Sequence, residues 1–323
     1  MPTQTFLLKE ESQTDEKYGC APENRKINDY VINGLINLDK PAGPTSHEVA
    51  AWVRNIFRDF GVTKAGHSGT LDPNVTGVLP MAIQNSVKII PALIRAQKEY
   101  VAIMRLHKPV SESVIRATFK KFTGEIEQMP PKLSGVKKRL RKRNIYYIKI
   151  LEIDGSDVLF RVGCEAGTYI RTLCVDFGKE LGIGAHMQEL RRTKAGTFEE
   201  INSVNLQSVK DAVEIFLERG DETEIRRVVF PVEYGVRHLE KIFIKDNAVS
   251  AVANGAPLHA GGIAKLTNEI SADDMVAIMT LKGELVALGC AQMSSEQILK
   301  SKKGIAARIN RVLISVGSYP REW

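Results

Sequence analysis

Strand-like and helix-like stretches alternate along most of this chain without the regular strand-helix-strand repeat of a parallel sheet. That irregularity restricts the fold to an α+β class built on a mixed or antiparallel sheet. The first helix is well marked: Val49, Trp52, Val53, Ile56, Phe57 and Phe60 share one face at helical spacing, and the spacing places Trp52 and the phenylalanines in the core. Thr45 and Glu48 stand as a capping box before it, and Gly61 is placed to end it. Tyr100 to Lys108 alternates as a half-buried strand, and Ser111 to Phe122 reads as a helix closed by Gly124. A second strand, VLFRVGCEAG from Val158, runs into GTYIRTLCVDFGKELG. There Thr168 is the expected N-cap, Ile170, Leu173, Phe177 and Leu181 form the buried stripe, and Gly182 ends the helix.

A chain of 323 residues has room for one large domain and a smaller one. Residues 1–33 form a polar arm with no sustained period, expected to pack on another domain, and 34–235 make the large domain. Pro231 is expected to open a helix through about Lys241. Composition then shifts to short, glycine-rich strands, so 238–323 reads as a compact β-rich unit containing an alternating hairpin joined at Lys282-Gly283.

Residues 66–80, GHSGTLDPNVTGVLP, hold a single charged residue, Asp72, among turn-formers. A lone carboxylate in such a run is expected where water is scarce and a partner is fixed, although Asp-Pro also makes a simple Asx-turn. From Lys132 to Lys149 the chain carries eight Lys or Arg and no Asp or Glu, more than the whole net charge of +7. So local an excess suits a polyanion, and Lys137, Lys138, Arg139 and Arg141 are its candidate phosphate contacts, with a solvated basic loop as the plainer reading. Cys20, Cys164, Cys174 and Cys290 show neither a CxxC pair nor zinc-site spacing, so no metal is expected and the thiols read as reduced. No apolar run approaches the ~20 residues of a membrane span, and the polar N-terminus does not look like a signal peptide, so a cytoplasmic protein is expected.

GHSGTLDP resembles the catalytic motif of the TruB family of RNA pseudouridine synthases, and the resemblance implies that Asp72 is the nucleophile. GTYIRTL is similar to the family motif whose arginine pairs with that aspartate. Arg171 would thus be the partner, in a first helical turn where a cation otherwise opposes the helix dipole. By the same resemblance Tyr100 in KEY stacks on the target base and takes a proton, Leu190 in QELRRTKAG seals the pocket, Arg191 and Arg192 face phosphates, and Tyr169 lines the pocket. His67 would occupy the place or face of a flipped base, and Lys40 in LDKPAG would hold phosphate or brace the Asp72 loop. From the residues alone, Tyr100 and Leu190 read equally as core, His67 as structural and Lys40 as a solvated turn lysine.

The C-terminal unit resembles a PUA domain, a small RNA-binding pseudobarrel, and KKGIAARINRVLISVGSYPREW matches its close in dyskerin-type members. The absence of a long Lys-rich tail points to the archaeal ones. The resemblance implies a cofactor-free isomerase working with an H/ACA guide RNA and small core proteins on rRNA. A stand-alone synthase for the tRNA T-loop is the alternative, and a non-catalytic RNA scaffold is a third.

Overall fold

The structure is a computed structural model in which residues 4–130 and 137–320 are described; residues 132–136 of the basic run and the last three of the closing motif lie outside the described residues. Two sheets carry the chain. Across the larger one lie Val229–Pro231, Gly34–Lys40, Thr76–Ile83, Ala185–Ala195, Lys98–Leu106, Asp157–Cys164, Arg141–Asp154 and Gly124–Gln128. Ala65–His67 adds to Thr76–Ile83, and Phe198–Glu199 to Ala185–Ala195. Neighbours in this sheet run antiparallel except at its centre, where Thr76 and Gly77 pair in parallel with Arg191 and Arg192.

That short parallel join is a seam between two cores. On one side Ile36, Leu38, Leu79 and Met81 pack under the helix Ser46–Ile56 and the helix Leu206–Arg219. On the other, Phe160, Val162 and Met104 pack under Glu112–Lys121 and Ile170–Glu180 through Ile115, Phe119, Leu173 and Phe177. Tyr100 and Leu190 are half-buried and touch both cores, so the seam runs beneath them.

The capping box forms as expected: the Glu48 N–H donates to Thr45 Oγ1 at 3.2 Å and the Thr45 N–H to Glu48 Oε2 at 2.8 Å. Gly61 closes the following turn in the left-handed region. Phe57 and Phe60 are buried, but Trp52 is 44% exposed and is not core. Small residues explain the difference. The buried arc is Ser46, Val49, Ala50 and Val53, and Trp52 stands about 100° from Val53, outside that arc.

Two other expectations change. Thr168 does not cap the next helix; its hydroxyl donates to the Glu165 carbonyl at 2.7 Å, and Tyr169 takes the N-cap position. Pro231 opens no α-helix. It ends the strand Val229–Pro231 at the sheet edge, where a missing N–H is harmless, and only a single 3-10 segment, Val232–Val236, follows before the strand Glu240–Ile244.

The second sheet orders Phe6–Leu8, Ile263–Thr267, Glu240–Ile244, Met275–Thr280, Leu285–Ala291, Ile305–Val312 and Leu258–His259. The arm is therefore not irregular throughout: Phe6–Leu8 forms an edge strand on this sheet, and Ile27–Ile32 is a short helix. Its order comes from long-range contacts that local periodicity does not record. Thr14 and Asp15 donate to the Asp246 carboxylate at 2.9 and 2.8 Å. At the junction of the two units Glu233 accepts both Arg25 nitrogens, at 2.6 and 2.9 Å, and the Leu285 N–H at 2.8 Å. An apolar cluster of Leu35, Val78, Ile89 and Val236 with Ala277, Met279 and Leu288 closes the same junction.

Candidate active site

Asp72 sits in the turn between Ala65–His67 and Thr76–Ile83, and both sides of that turn are braced. Just before it, Ser46 Oγ donates to the Leu71 carbonyl at 3.0 Å and accepts the Leu71 N–H at 2.9 Å. After it, Lys40 Nζ donates to the carbonyls of Pro41, Pro73 and Val75 at 2.8, 2.9 and 3.0 Å. An ammonium has three N–H donors, and all three are used here on a fully buried side chain. Lys40 is thus a brace for the Asp72 loop and has no donor left for a phosphate. Burial pulls its ammonium down, and the charge of Asp72 pulls it back up.

The Asp72 carboxylate pairs with the Arg171 guanidinium, not with its own turn. These two side chains are 54% and 48% exposed, so the expectation that water is scarce around Asp72 does not hold for the isolated chain. An ion pair so wet contributes at most about 1 kcal/mol to folding. Arg171 lies in the first turn of Ile170–Glu180, where a cation opposes the helix dipole. Folding energy therefore does not explain this pair.

Tyr100 lies on the seam beside Leu190, and burial raises its phenol while the Arg192 guanidinium opposes that rise. Tyr169 is held by its backbone: Gln128 Nε2 donates to its carbonyl at 3.1 Å and Gln128 Oε1 accepts its N–H at 3.0 Å. Gln128 also faces Arg141 at the root of the hairpin that carries the basic run, so that root abuts the site. Lys137, Lys138 and Arg139 are exposed beyond it, and Arg141 is half-buried at the start of its strand. The His67 ring stands edge-on to His47 at 5.1 Å, and its Nδ1 is buried with no partner among the described residues. Burial, then the charges of His47 and Arg192, push His67 down to about 4, so it is neutral near pH 7.

Neither of the paired arginines is free for phosphate. Arg191 donates to both Asp39 oxygens at 3.0 and 2.9 Å and also pairs with Glu200. Arg192, its neighbour on the strand, points to the opposite face and is buried. Gln128, Ser46 and Arg192 are the residues that the sequence did not single out for what they do here. Only the adjacency of two arginines on one strand hinted at Arg192, since alternation must send one of them inward. Among the described residues no group of three or more His, Cys, Asp or Glu could hold a metal ion.

Known proteins share this architecture from end to end. Residues 57–170 match the TruB family pseudouridylate synthase N-terminal domain, 171–237 the tRNA pseudouridylate synthase B C-terminal domain, 240–313 the PUA domain and 2–50 the DKCLD domain. The chain is 55% identical over 318 residues to a probable tRNA pseudouridine synthase B of Methanopyrus kandleri, covering 98% of this chain and 93% of that protein. It is 55% identical over 316 residues to the similarly named protein of Nanoarchaeum equitans, covering 98% and 90%. An H/ACA RNP bound to a substrate RNA containing 2'-deoxyuridine includes a chain that superposes with a TM-score of 0.92 at 48% identity, covering 99% of this chain and 98% of that one. A chain of a Cbf5-Nop10-Gar1 complex superposes with a TM-score of 0.94 at 50% identity, covering 98% and 96%. With the motif loop, the paired arginine and the PUA unit all in place, the chain belongs to the TruB family of pseudouridine synthases.

Proposed function

We propose that this chain is the catalytic subunit of a guide-RNA particle that converts uridine to pseudouridine in ribosomal RNA. The observation that carries the chemistry is the exposed Asp72–Arg171 pair. Isomerisation breaks a C–N glycosidic bond, turns the uracil and forms a C–C bond to the same ribose carbon. Asp72 is the nucleophile, aimed by Arg171. Tyr100 stacks on the base and takes the C5 proton at the end, while Leu190 and Tyr169 wall the pocket.

The target uridine must leave its stack, which costs a few kcal/mol. Neutral His67 answers that cost by standing against the vacated position or the flipped base. RNA covers the wet Asp72–Arg171 pair on binding, and the desolvation that the free chain lacks is then supplied by the substrate. Lys137, Lys138, Arg139 and Arg141 clamp the substrate backbone.

Guidance and partners rest on likeness to whole particles: the match to chains in an H/ACA RNP and in the Cbf5-Nop10-Gar1 complex runs over 98% or more of this chain, arm and PUA unit included. A guide RNA and small core proteins of the Nop10 and Gar1 kind are the partners of this reading, and the archaeal cytoplasm is its setting. No described helix is long and apolar enough to cross a membrane. The second reading, a stand-alone tRNA synthase, is favoured by the names of the curated relatives. The test is pseudouridine formation by the purified chain on an rRNA fragment and on a T-loop tRNA, each with and without guide RNA and core proteins. Product on rRNA only in the assembled mixture supports the guided reading. Product on tRNA alone supports the second, and none on either leaves a scaffold.

A further inference from the structure

Among the described residues Arg192 is the largest fully buried side chain, at 1% exposure. A guanidinium in that position ordinarily needs a carboxylate, but Arg192 is held by backbone carbonyls and by the Tyr100 hydroxyl. Nε donates to Val78 O at 2.6 Å and Nη2 to Gly69 O at 3.3 Å. Gly69 belongs to the GHSGTLD loop that carries Asp72, and Tyr100 is the direct cross-strand partner of Arg192. On its other side Arg192 pairs with Gly77, whose φ is +101°; a Cβ there would lie 2.2 Å from the Arg192 carbonyl oxygen. The strands are thus drawn together at a residue that touches the Asp72 loop and the Tyr100 strand at once.

We propose that Arg192 is a positioning residue for the isomerisation, fixing the Asp72 loop and the Tyr100 ring in one register from beneath the pocket and holding a permanent positive charge against the Tyr100 oxygen. The proposal rests on the reading of Tyr100 as the final proton acceptor. Once C5 is joined to the ribose carbon, it still carries its original hydrogen. That C–H bond breaks, its electron pair restores the conjugated ring, and the proton goes to the Tyr100 oxygen in its phenolate form. The resulting phenol returns the proton to water before the next turnover. Such a step needs the phenolate, which burial disfavours, and the cation below is what favours it.

Other ionisable groups around this point do not replace it. Lys98, on the Tyr100 strand, is pulled down to about 7 by burial and then by Arg192, and its Nζ is held by the carbonyls of Leu93, Ile94 and Ala96. His67 is neutral, and the Cys164 thiol, pushed up to about 12 by burial, is neutral as well. Arg192 is therefore the fixed charge that Tyr100 meets.

Single-turnover rates across pH 5.5–10 test this with R192M, R192K and Y100F, in the assembled particle or on tRNA, whichever supports turnover by the native chain. R192M removes the charge, so the limb on which the rate rises with pH should move up by about one unit, with a loss of about 100-fold at pH 7. R192K keeps the charge but not the planar fork, so the limb should stay while the rate falls about tenfold. If R192M does not fold, R192K decides alone: a native rate overturns the proposal, and a slower rate on an unmoved limb supports it. A native limb and rate in R192M overturns it outright. Y100F separates the two levels, because native turnover in Y100F overturns the reading of Tyr100, whereas an inactive Y100F beside a native R192M overturns only the role of Arg192.

Discussion

The rim of the site and its floor treat charge in opposite ways. At the rim Asp72 and Arg171 form an ion pair about half open to water. In the floor Lys40, Lys98 and Arg192 are buried, and backbone carbonyls, with the Tyr100 hydroxyl at Arg192, hold them in place of carboxylates. Burying a guanidinium without a carboxylate costs several kcal/mol, so Arg192 is retained for something other than folding energy. The difference separates tasks. On the proposed reading, groups that meet RNA stay solvated until RNA covers them, and groups that hold the geometry are fixed before it arrives.

If that division is right, removing the rim cation should damage chemistry and spare the fold. R171M is expected to cost ~100- to 1,000-fold in single-turnover rate with an unchanged unfolding midpoint; a large drop in the midpoint would make Arg171 a structural residue. K40M should do the reverse at first, leaving three carbonyls without a donor and lowering stability by ~1–3 kcal/mol, read by urea unfolding. A K40M protein as stable as the native one would show that the Asp72 loop does not depend on its brace.

Acid should find the floor as well. His67 is depressed from 6.5 to about 4, so the unfolded chain takes up a proton at this residue below about pH 6.5 and the folded chain only near pH 4. Stability is fully present above that window and falls as the pH drops through it, on the order of 1–2 kcal/mol from this residue at pH 4.5 once partial solvent access is allowed for. H67Q should therefore lose less stability than the native protein between pH 7 and 4.5, and equal losses would contradict the burial argument. The smallest effect belongs to the clamp. Neutralising Lys137, Lys138, Arg139 and Arg141 should weaken substrate RNA binding and reduce its salt slope by ~0.7 for each phosphate no longer neutralised, and an unchanged slope would remove the clamp from the account.

The rim could be read from the sequence, and the floor largely could not. Asp72 stands alone in an uncharged run, and the GTYIRTL motif supplied Arg171 as its partner; the two side chains do meet. Lys40 was legible only as a choice among phosphate contact, brace and solvated turn lysine, and three carbonyl distances select the brace. Arg191 and Arg192 look alike as letters, yet strand alternation sends one to Asp39 and Glu200 and the other under Tyr100. Periodicity recovered the helices Ser46–Ile56, Glu112–Lys121 and Ile170–Glu180 and the hairpin at Lys282-Gly283, but it passed over Leu206–Arg219 and misplaced Trp52, because Ser46 and Ala50 count for little in a hydrophobic pattern although they pack as closely as valine. Pro231 misled for a related reason: a proline that begins a helix and one that ends an edge strand have the same local signature, and only pairing with Gly34 separates them.

The most direct measurement is single-turnover pseudouridine formation by D72N beside RNA binding by the same protein. On the proposed reading the carboxylate belongs to the chemistry and the floor is preformed, so D72N should bind RNA as the native protein does and form no pseudouridine. Turnover near the native rate would contradict the assignment of Asp72, and with it the division of the site into a reactive rim and a fixed floor.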